Sequence, residues 1–176
     1  MRVIGTVGLP GSGKGEFATV AREQGVPVVT MGDVIREECR KRGLDPADHH
    51  GEIAQALREE DGPLAIAERS IPMIRAALDD SETVLVDGLR SGDELDRFYD
   101  EFGDDFTLVA IEAPFEERAK RIETRGRDNT AEETLRDRDE RELGFGMGEA
   151  MERADVRIEN DGTLDEFRTQ VREVLE

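Results

Sequence analysis

Short runs of consecutive apolar residues recur along the chain and are separated by longer stretches with helical spacing. Such runs are typical of strands buried on both faces of a parallel sheet. The sequence predicts strands at Val3–Val7, Val26–Thr30, Thr83–Val86, Phe106–Ile111 and Val156–Glu159. Strands that alternate with helices form right-handed β-α-β units. We therefore expect an α/β fold with a doubly wound, five-stranded parallel sheet flanked by helices, whose ligands bind beyond the carboxyl ends of the strands.

Hydroxyl residues followed three positions later by glutamate mark the expected starts of several helices. At this spacing the two side chains can each accept a hydrogen bond from the other residue's backbone N–H, which is the capping-box arrangement. The pairs are Ser91 with Glu94, Thr130 with Glu133, and Thr163 with Glu166.

Residues 31–81, between the second and third predicted strands, are too many for a simple crossover. Glycine and proline residues divide this stretch into three expected helical segments, Asp33–Arg42, Glu52–Glu60 and Pro63–Leu78. We interpret it as a helical insertion into a single domain that spans residues 1–176, with a core of residues 1–30, 82–120 and 142–176. His49 and His50 are expected in a solvated turn of this insertion.

The composition excludes several classes of partner. The chain has 176 residues, with 43 acidic residues against 24 basic ones and a formal net charge of −19. Such a surface repels phosphate backbones and anionic lipids, so neither nucleic acid nor a membrane is expected as a partner. Disorder or adaptation to concentrated salt could explain the acidity, and the alternation of strands and helices favours a folded, halophilic protein.

The cysteine content and the apolar stretches of the chain bear on its cellular compartment. Cys39 is the single cysteine, so no intrachain disulfide can form, which fits a reducing environment. The chain contains no apolar stretch long enough for a signal peptide or a membrane span. We expect a cytoplasmic protein.

The segment from Gly8 to Gly15 directly follows the first predicted strand and fits the pattern G-x-x-x-x-G-K. In this pattern, backbone N–H groups and a helix N-terminus surround phosphate oxygens, and the lysine adds a positive charge. Gly15 stands where Ser or Thr would offer a hydroxyl to Mg²⁺, so we expect the metal to be held through water, nucleotide phosphates and a carboxylate elsewhere. The predicted nucleotide site consists of Gly8, Leu9, Pro10, Gly11, Ser12, Gly13, Lys14, Gly15 and Glu16.

This phosphate loop resembles that of adenylate kinases and related nucleoside monophosphate kinases, in which glycine commonly follows the lysine. Those kinases usually have a hydroxyl residue next, whereas this chain has Glu16. The resemblance implies the P-loop NTPase fold, ATP and Mg²⁺ as cofactors, and Lys14 as a catalytic residue.

A second set of resemblances concerns the segments that bind the phosphoryl acceptor in adenylate kinases. The segment from Thr30 to Arg36 resembles the start of the adenylate kinase helix that holds the acceptor phosphate, which implies substrate-binding roles for Asp33 and Arg36. Asp87 ends the third predicted strand, where a carboxylate can organise Mg²⁺ through water. Arg90 follows in a segment one residue shorter than the Asp-Gly-x-Pro-Arg of those kinases, and we expect it to bind the acceptor.

The acceptor itself is left open by these residues. The glutamine that reads adenine in adenylate kinases has no counterpart, because Asp93 and Glu94 occupy that neighbourhood. This difference weakens AMP as the acceptor.

Residues 118–141 reverse the overall charge, with eight basic and seven acidic residues. Residues 121–141 are similar to the short lid of such kinases, which closes arginines over the phosphates. The resemblance implies catalytic roles for Arg127 and Arg138 and a nucleotide contact for Arg121, with Arg125 and Arg136 as weaker candidates. The alternative is an amphipathic helix with i,i+4 ion pairs.

The segment from Ala154 to Thr163 resembles the last strand and following loop of dephospho-CoA kinases, where the loop lies against the adenine of ATP. This resemblance implies nucleotide contacts for Asn160 and Gly162. The glycine-rich segment from Gly144 to Gly148 has no assigned role.

These motifs follow the order found in the superfamily of adenylate kinases and dephospho-CoA kinases, and the chain is most similar to little-characterised archaeal dephospho-CoA kinase-like proteins. The resemblance implies an ATP-dependent kinase whose partner is a small-molecule phosphoryl acceptor, such as a nucleotide. One alternative is dephospho-CoA kinase itself. Another is a nucleotide-binding regulator that hydrolyses ATP without a small-molecule acceptor.

Overall fold

The computed structural model describes residues 1–124 and 131–176, with side chains from Leu135 onward in the second range. Within these ranges, five strands form one parallel sheet in the order β2-β3-β1-β4-β5. The strands are β1 (Arg2–Val7), β2 (Val28–Thr30), β3 (Thr83–Asp87), β4 (Phe106–Glu112) and β5 (Val156–Glu159). The predicted five-stranded parallel sheet is thus confirmed. Because β1 is central, the loop that follows it is flanked by the carboxyl ends of β3 and β4.

Helices cover both faces of the sheet. They are α1 (Lys14–Glu23), α2 (Met31–Lys41), α3 (Pro46–Asp61), α4 (Ala65–Asp80), α5 (Gly92–Phe102), α6 (Phe115–Thr124), α7 (Ala131–Gly144), α8 (Met147–Glu152) and α9 (Leu164–Leu175). No helix within the described ranges has the length and apolarity needed to cross a membrane.

The period-two alternation of the strands divides the core between the two faces of the sheet. On one face, Val3 and Val7 of β1 pack with buried residues of α2, α3, α4, α5 and α8. On the other face, Ile4 packs with Phe17 of α1 and Phe167 of α9. Burial on both faces explains why the strands appear in the sequence as continuous apolar runs.

Two of the predicted helix starts are capped as expected. The Glu94 N–H donates to Ser91 Oγ at 3.2 Å at the start of α5. At the start of α9, the Glu166 N–H donates to Thr163 Oγ1 at 3.2 Å and the Thr163 N–H donates to Glu166 Oε2 at 2.7 Å, which completes a capping box. Thr130, the third predicted cap, lies outside the described residues.

The stretch between β2 and β3 contains α2, α3 and α4, as the pattern predicts, but α3 begins earlier than expected. The Ala47 N–H donates to Asp45 Oδ1 at 2.9 Å, and Pro46 occupies the first turn, so capping starts the helix at Pro46. The prediction that His49 and His50 lie in a solvated turn is therefore wrong, since both are helical.

Candidate functional site

The loop between β1 and α1 curls tightly because its glycines adopt conformations that other residues avoid. The φ angles of Gly11 and Gly13 are +79° and +121°. A Cβ on Gly13 would lie 2.6 Å from Asn160 Nδ2, and this amide donates to the Ser12 carbonyl at 2.8 Å. The loop is therefore held in shape by the segment that follows β5.

A buried hydroxyl in this loop lacks a partner. Ser12 Oγ makes no hydrogen bond to any residue that the structure describes. A Cβ on Gly8 would lie 2.5 Å from that oxygen and 2.6 Å from the Ile111 carbonyl, so only glycine leaves room there. An unpaired hydroxyl and a glycine cradle at a helix N-terminus fit a nucleotide phosphate.

Lys14, the first residue of α1, folds its side chain back over the loop. Its ammonium donates to the Gly8 carbonyl and, at 3.5 Å, approaches the Leu9 carbonyl. Burial lowers the pKa of Lys14, while the carboxylates of Asp87 and Glu142 act to raise it. A phosphate would replace the carbonyl contacts with a full negative charge.

Asp87 ends β3 beside this lysine. It pairs with Thr6 in the register of β1 and β3, and the Thr6 hydroxyl donates to Asp87 Oδ1 at 3.1 Å. This hydrogen bond fixes the carboxylate at the carboxyl-terminal end of the strands, next to the phosphate loop. Oxygen ligands of this type, with water in between, suit Mg²⁺.

A cavity of about 330 Å³ opens between the phosphate loop and the helices that follow β2. It brings together residues that the sequence analysis selected from separate motifs, namely Pro10, Lys14, Arg36, Asp87, Arg90 and Arg138. The cavity also has polar walls that the sequence analysis missed, formed by His50, Arg58, Glu94 and Glu142. In the sequence, Glu94 stood out by its capping spacing and by its place near the missing adenine-reading glutamine, and His50 was assigned to a solvated turn.

Two of the missed residues are electrostatically unusual. Burial lowers the pKa of the His50 imidazole, and the cations of Arg36 and Arg90 lower it further, which favours the neutral form of the ring. Burial raises the pKa of the Glu94 carboxyl, although the Arg90 N–H donates to it at 3.2 Å. Burial therefore disfavours the charged forms of both residues on this wall of the cavity.

The two predicted acceptor residues of α2 pair with each other. Arg36 Nη2 lies 3.4 Å from Asp33 Oδ1, one helical turn away. Arg36 lines the cavity, whereas the Asp33 side chain does not. The structure therefore brings Asp33 to the site only through Arg36.

The other predicted nucleotide contacts lie on the far side of the phosphate loop. Arg121 donates to the Gly11 carbonyl at 3.1 Å and to the Asn160 carbonyl at 2.6 Å, so these residues meet. Gly162 borders a separate depression with Asn160. Glu16 forms an ion pair with Arg168 of α9.

The predicted lid is described only in part. Arg125 and Arg127 lie outside the described residues. The guanidinium of Arg136 lies 4.4 Å from the centre of the Phe115 ring, whereas Arg138 lines the cavity.

Comparison with known proteins identifies relatives of the whole chain. A family model described as an AAA domain matches residues 7–136. A UPF0200 protein of Halobacterium salinarum is 61% identical over 176 residues, which cover 99% of this chain and 93% of the relative. A UPF0200 protein of Methanosarcina mazei is 49% identical over 178 residues, with 99% and 94% covered.

Solved structures share the fold at low identity. A protein of Thermus thermophilus superimposes with a TM-score of 0.68 at 21% identity, over 99% of this chain and 96% of that one. Shikimate kinase from Acinetobacter baumannii, solved in complex with shikimate, has a TM-score of 0.56 at 18% identity, over 99% and 91%. The fold is that of P-loop kinases, and the chain belongs to the archaeal UPF0200 family with its AAA-type nucleotide-binding domain.

Proposed function

We propose that the protein is an ATP-dependent phosphotransferase that transfers the γ-phosphoryl group of ATP to an anionic small molecule. The observation that carries this proposal is the single cavity that joins Lys14 and Asp87 to Arg36 and Arg90. Phosphoryl transfer depends mainly on positioning the two substrates and on stabilising charge. A phosphate site and a set of arginines that share one cavity meet both needs.

Each side of the cavity has a distinct role in this proposal. The phosphate loop binds the nucleotide, and Lys14 contacts its terminal phosphates. Asp87 would hold the water ligands of Mg²⁺, which when bound would supply positive charge next to the phosphates. Arg36 and Arg90 bind the anionic group of the acceptor, and Arg138 stabilises charge on the transferring group.

The acceptor oxygen forms a bond to the γ-phosphorus while the bond to the bridging oxygen of ADP breaks. A phosphate acceptor needs no base, because its oxygen is already anionic near neutral pH, whereas a hydroxyl acceptor has to lose a proton. Asp33, the predicted substrate-binding carboxylate of α2, does not line the cavity, and it pairs instead with Arg36, which does.

Dephospho-CoA is a second candidate acceptor, favoured by the contact between Asn160 and Ser12. This contact joins the segment after β5 to the phosphate loop, and that segment resembles the loop that lies against the adenine of ATP in dephospho-CoA kinases. It concerns the nucleotide side of the site, so it supports the candidate less directly than the cavity supports an anionic acceptor.

The proposal is tested by labelled-ATP transfer in molar KCl with Mg²⁺, against nucleoside monophosphates, dephospho-CoA and shikimate. We expect label in one acceptor, lost in Lys14→Ala and retained in Lys41→Ala, whose lysine lies on the exposed face of α2. Hydrolysis that no acceptor accelerates would instead support the nucleotide-binding regulator.

A further inference from the structure

We propose that Glu142 is a specificity-determining residue that binds an uncharged O–H or N–H group of the phosphoryl acceptor. This inference rests on the proposed function, because it assigns a second contact to the same acceptor. Glu142 lies in the last turn of α7 and lines the cavity together with Lys14 and Arg90.

The carboxylate of Glu142 has no hydrogen bond within the described part of the chain. Its Oε2 atom is buried without a partner. Its Oε1 atom lies 3.7 Å from Arg90 Nη1, which is too far for a hydrogen bond although close enough for electrostatic attraction. The side chain as a whole is only 18% exposed, so solvent contact is restricted.

The other acidic groups near the cavity differ in this respect. Asp87 accepts a hydrogen bond from Thr6, and Glu94 accepts hydrogen bonds from the Arg90 N–H and the Ser91 hydroxyl. Each of these carboxylates therefore has a local partner that fixes its position. Among the acidic residues that line the described cavity, Glu142 is the one with a carboxylate oxygen that is fully buried and has no hydrogen-bond partner.

A buried oxygen atom that accepts no hydrogen bond destabilises the folded protein, so its presence calls for a specific explanation. The last torsion of a glutamate side chain is soft, so the carboxylate can turn an oxygen towards a ligand in the cavity. A hydroxyl or amino hydrogen on the acceptor would then supply the missing bond.

Glu142 also indicates which acceptors the site rejects. Arg36 and Arg90 favour any small anion, but the negative charge of Glu142 opposes one that has no hydrogen to donate. A phosphoryl acceptor that combines an anionic group with an uncharged O–H or N–H group can bind the arginines and Glu142 at the same time. Discrimination then arises because a wrong ligand leaves a buried polar group unpaired.

The test measures equilibrium binding of labelled AMP, CMP and dephospho-CoA in molar KCl, with Mg²⁺ and a non-hydrolysable ATP analogue present. Each probe combines phosphate with O–H and N–H donors, and pyrophosphate serves as the probe without an uncharged donor. For the probe that wild-type protein binds best, we expect Glu142→Ala to weaken binding by about 10-fold or more. Glu142→Gln should weaken it less, because its amide oxygen still accepts a hydrogen bond.

Pyrophosphate should bind Glu142→Ala at least as tightly as it binds the wild type. The control variant is Glu140→Ala, which changes an exposed residue of the same helix and should leave the affinity for every probe unchanged. An equal loss for pyrophosphate and the other probes, or no loss for any probe, would overturn the role of Glu142. If no probe binds the wild-type protein, the proposed function itself is contradicted. If probes bind independently of Glu142, only this inference is contradicted.

Discussion

Arg118 and Asp139 form a buried, bidentate ion pair between α6 and α7. The two Nη to Oδ distances are 2.8 and 2.9 Å, and the residues are 5% and 9% exposed. Arg118 also donates to the carbonyls of Pro10, at 3.3 Å, and Ala113, at 3.1 Å. One guanidinium therefore connects α7 to the phosphate loop and to the end of β4, and it fixes the helix turn that carries Arg138.

Removing one partner of this ion pair should destabilise the protein strongly. Asp139→Asn leaves the buried Arg118 charge uncompensated, a change that typically costs about 3–5 kcal/mol. The measurement is chemical unfolding in molar KCl, where salt screens such a buried pair less than exposed ones. As a control, Arg153→Ala breaks the more exposed pair of Arg153 with Asp96 and should cost no more than about 1 kcal/mol. Equal costs for the two variants would contradict the anchoring role of Arg118.

Two glycines in the phosphate loop region should respond oppositely to alanine. Gly13→Ala strains a residue with φ of +121° and places a methyl group 2.6 Å from Asn160 Nδ2. We expect a loss of stability of about 1–3 kcal/mol and weaker ATP binding, measured by thermal unfolding and titration with ATP. Gly15→Ala meets no atom within 4 Å and lies in α1, so it should be neutral or stabilising by up to about 1 kcal/mol. Similar losses for both variants would show that the contact with Asn160 is unimportant.

Arg36 should affect the acceptor more than the nucleotide. Once an acceptor is found, Arg36→Ala is expected to raise its KM by about 10-fold or more, since a hydrogen bond to a charged group is lost. The KM for ATP should stay within about 2-fold, because Arg36 belongs to α2 and not to the phosphate loop. Steady-state kinetics with each substrate varied in turn checks this split. The control is Arg40→Ala, at an exposed position of the same helix. If Arg36→Ala changed the KM for ATP more than the KM for the acceptor, the assignment of Arg36 to the acceptor site would be contradicted.

Salt should stabilise the folded chain. With a net charge of −19, the compact state repels itself, and ionic screening over a Debye length of about 3 Å at 1 M salt reduces that repulsion. We expect the melting temperature to rise as KCl is increased from low to molar concentration, measured by circular dichroism. Sucrose at matched osmolality is the control for general solvent exclusion. A melting temperature that does not depend on KCl would contradict the electrostatic explanation.

Local patterns were sufficient for the strands and the phosphate loop. The apolar runs located β1, β3, β4 and β5 to within one or two residues, because strands buried on both faces need continuous apolar sequence. The glycines of the loop were found because backbone curvature at positive φ restricts the residue type. The start of α3 was misplaced because the Asp45 cap was overlooked.

The sequence by itself determined the parallel α/β fold, the phosphate loop and the candidates Lys14, Asp87, Arg36 and Arg90, because each depends on a period, a cap or a motif within a few neighbouring residues. Only the tertiary structure placed His50, Arg58 and Glu142 at the same cavity, paired Arg118 with Asp139, and left the Asp33 side chain outside. These relationships join residues from distant segments, and they are decided by how the helices pack on the sheet and by which buried charges find partners. No local pattern records that packing.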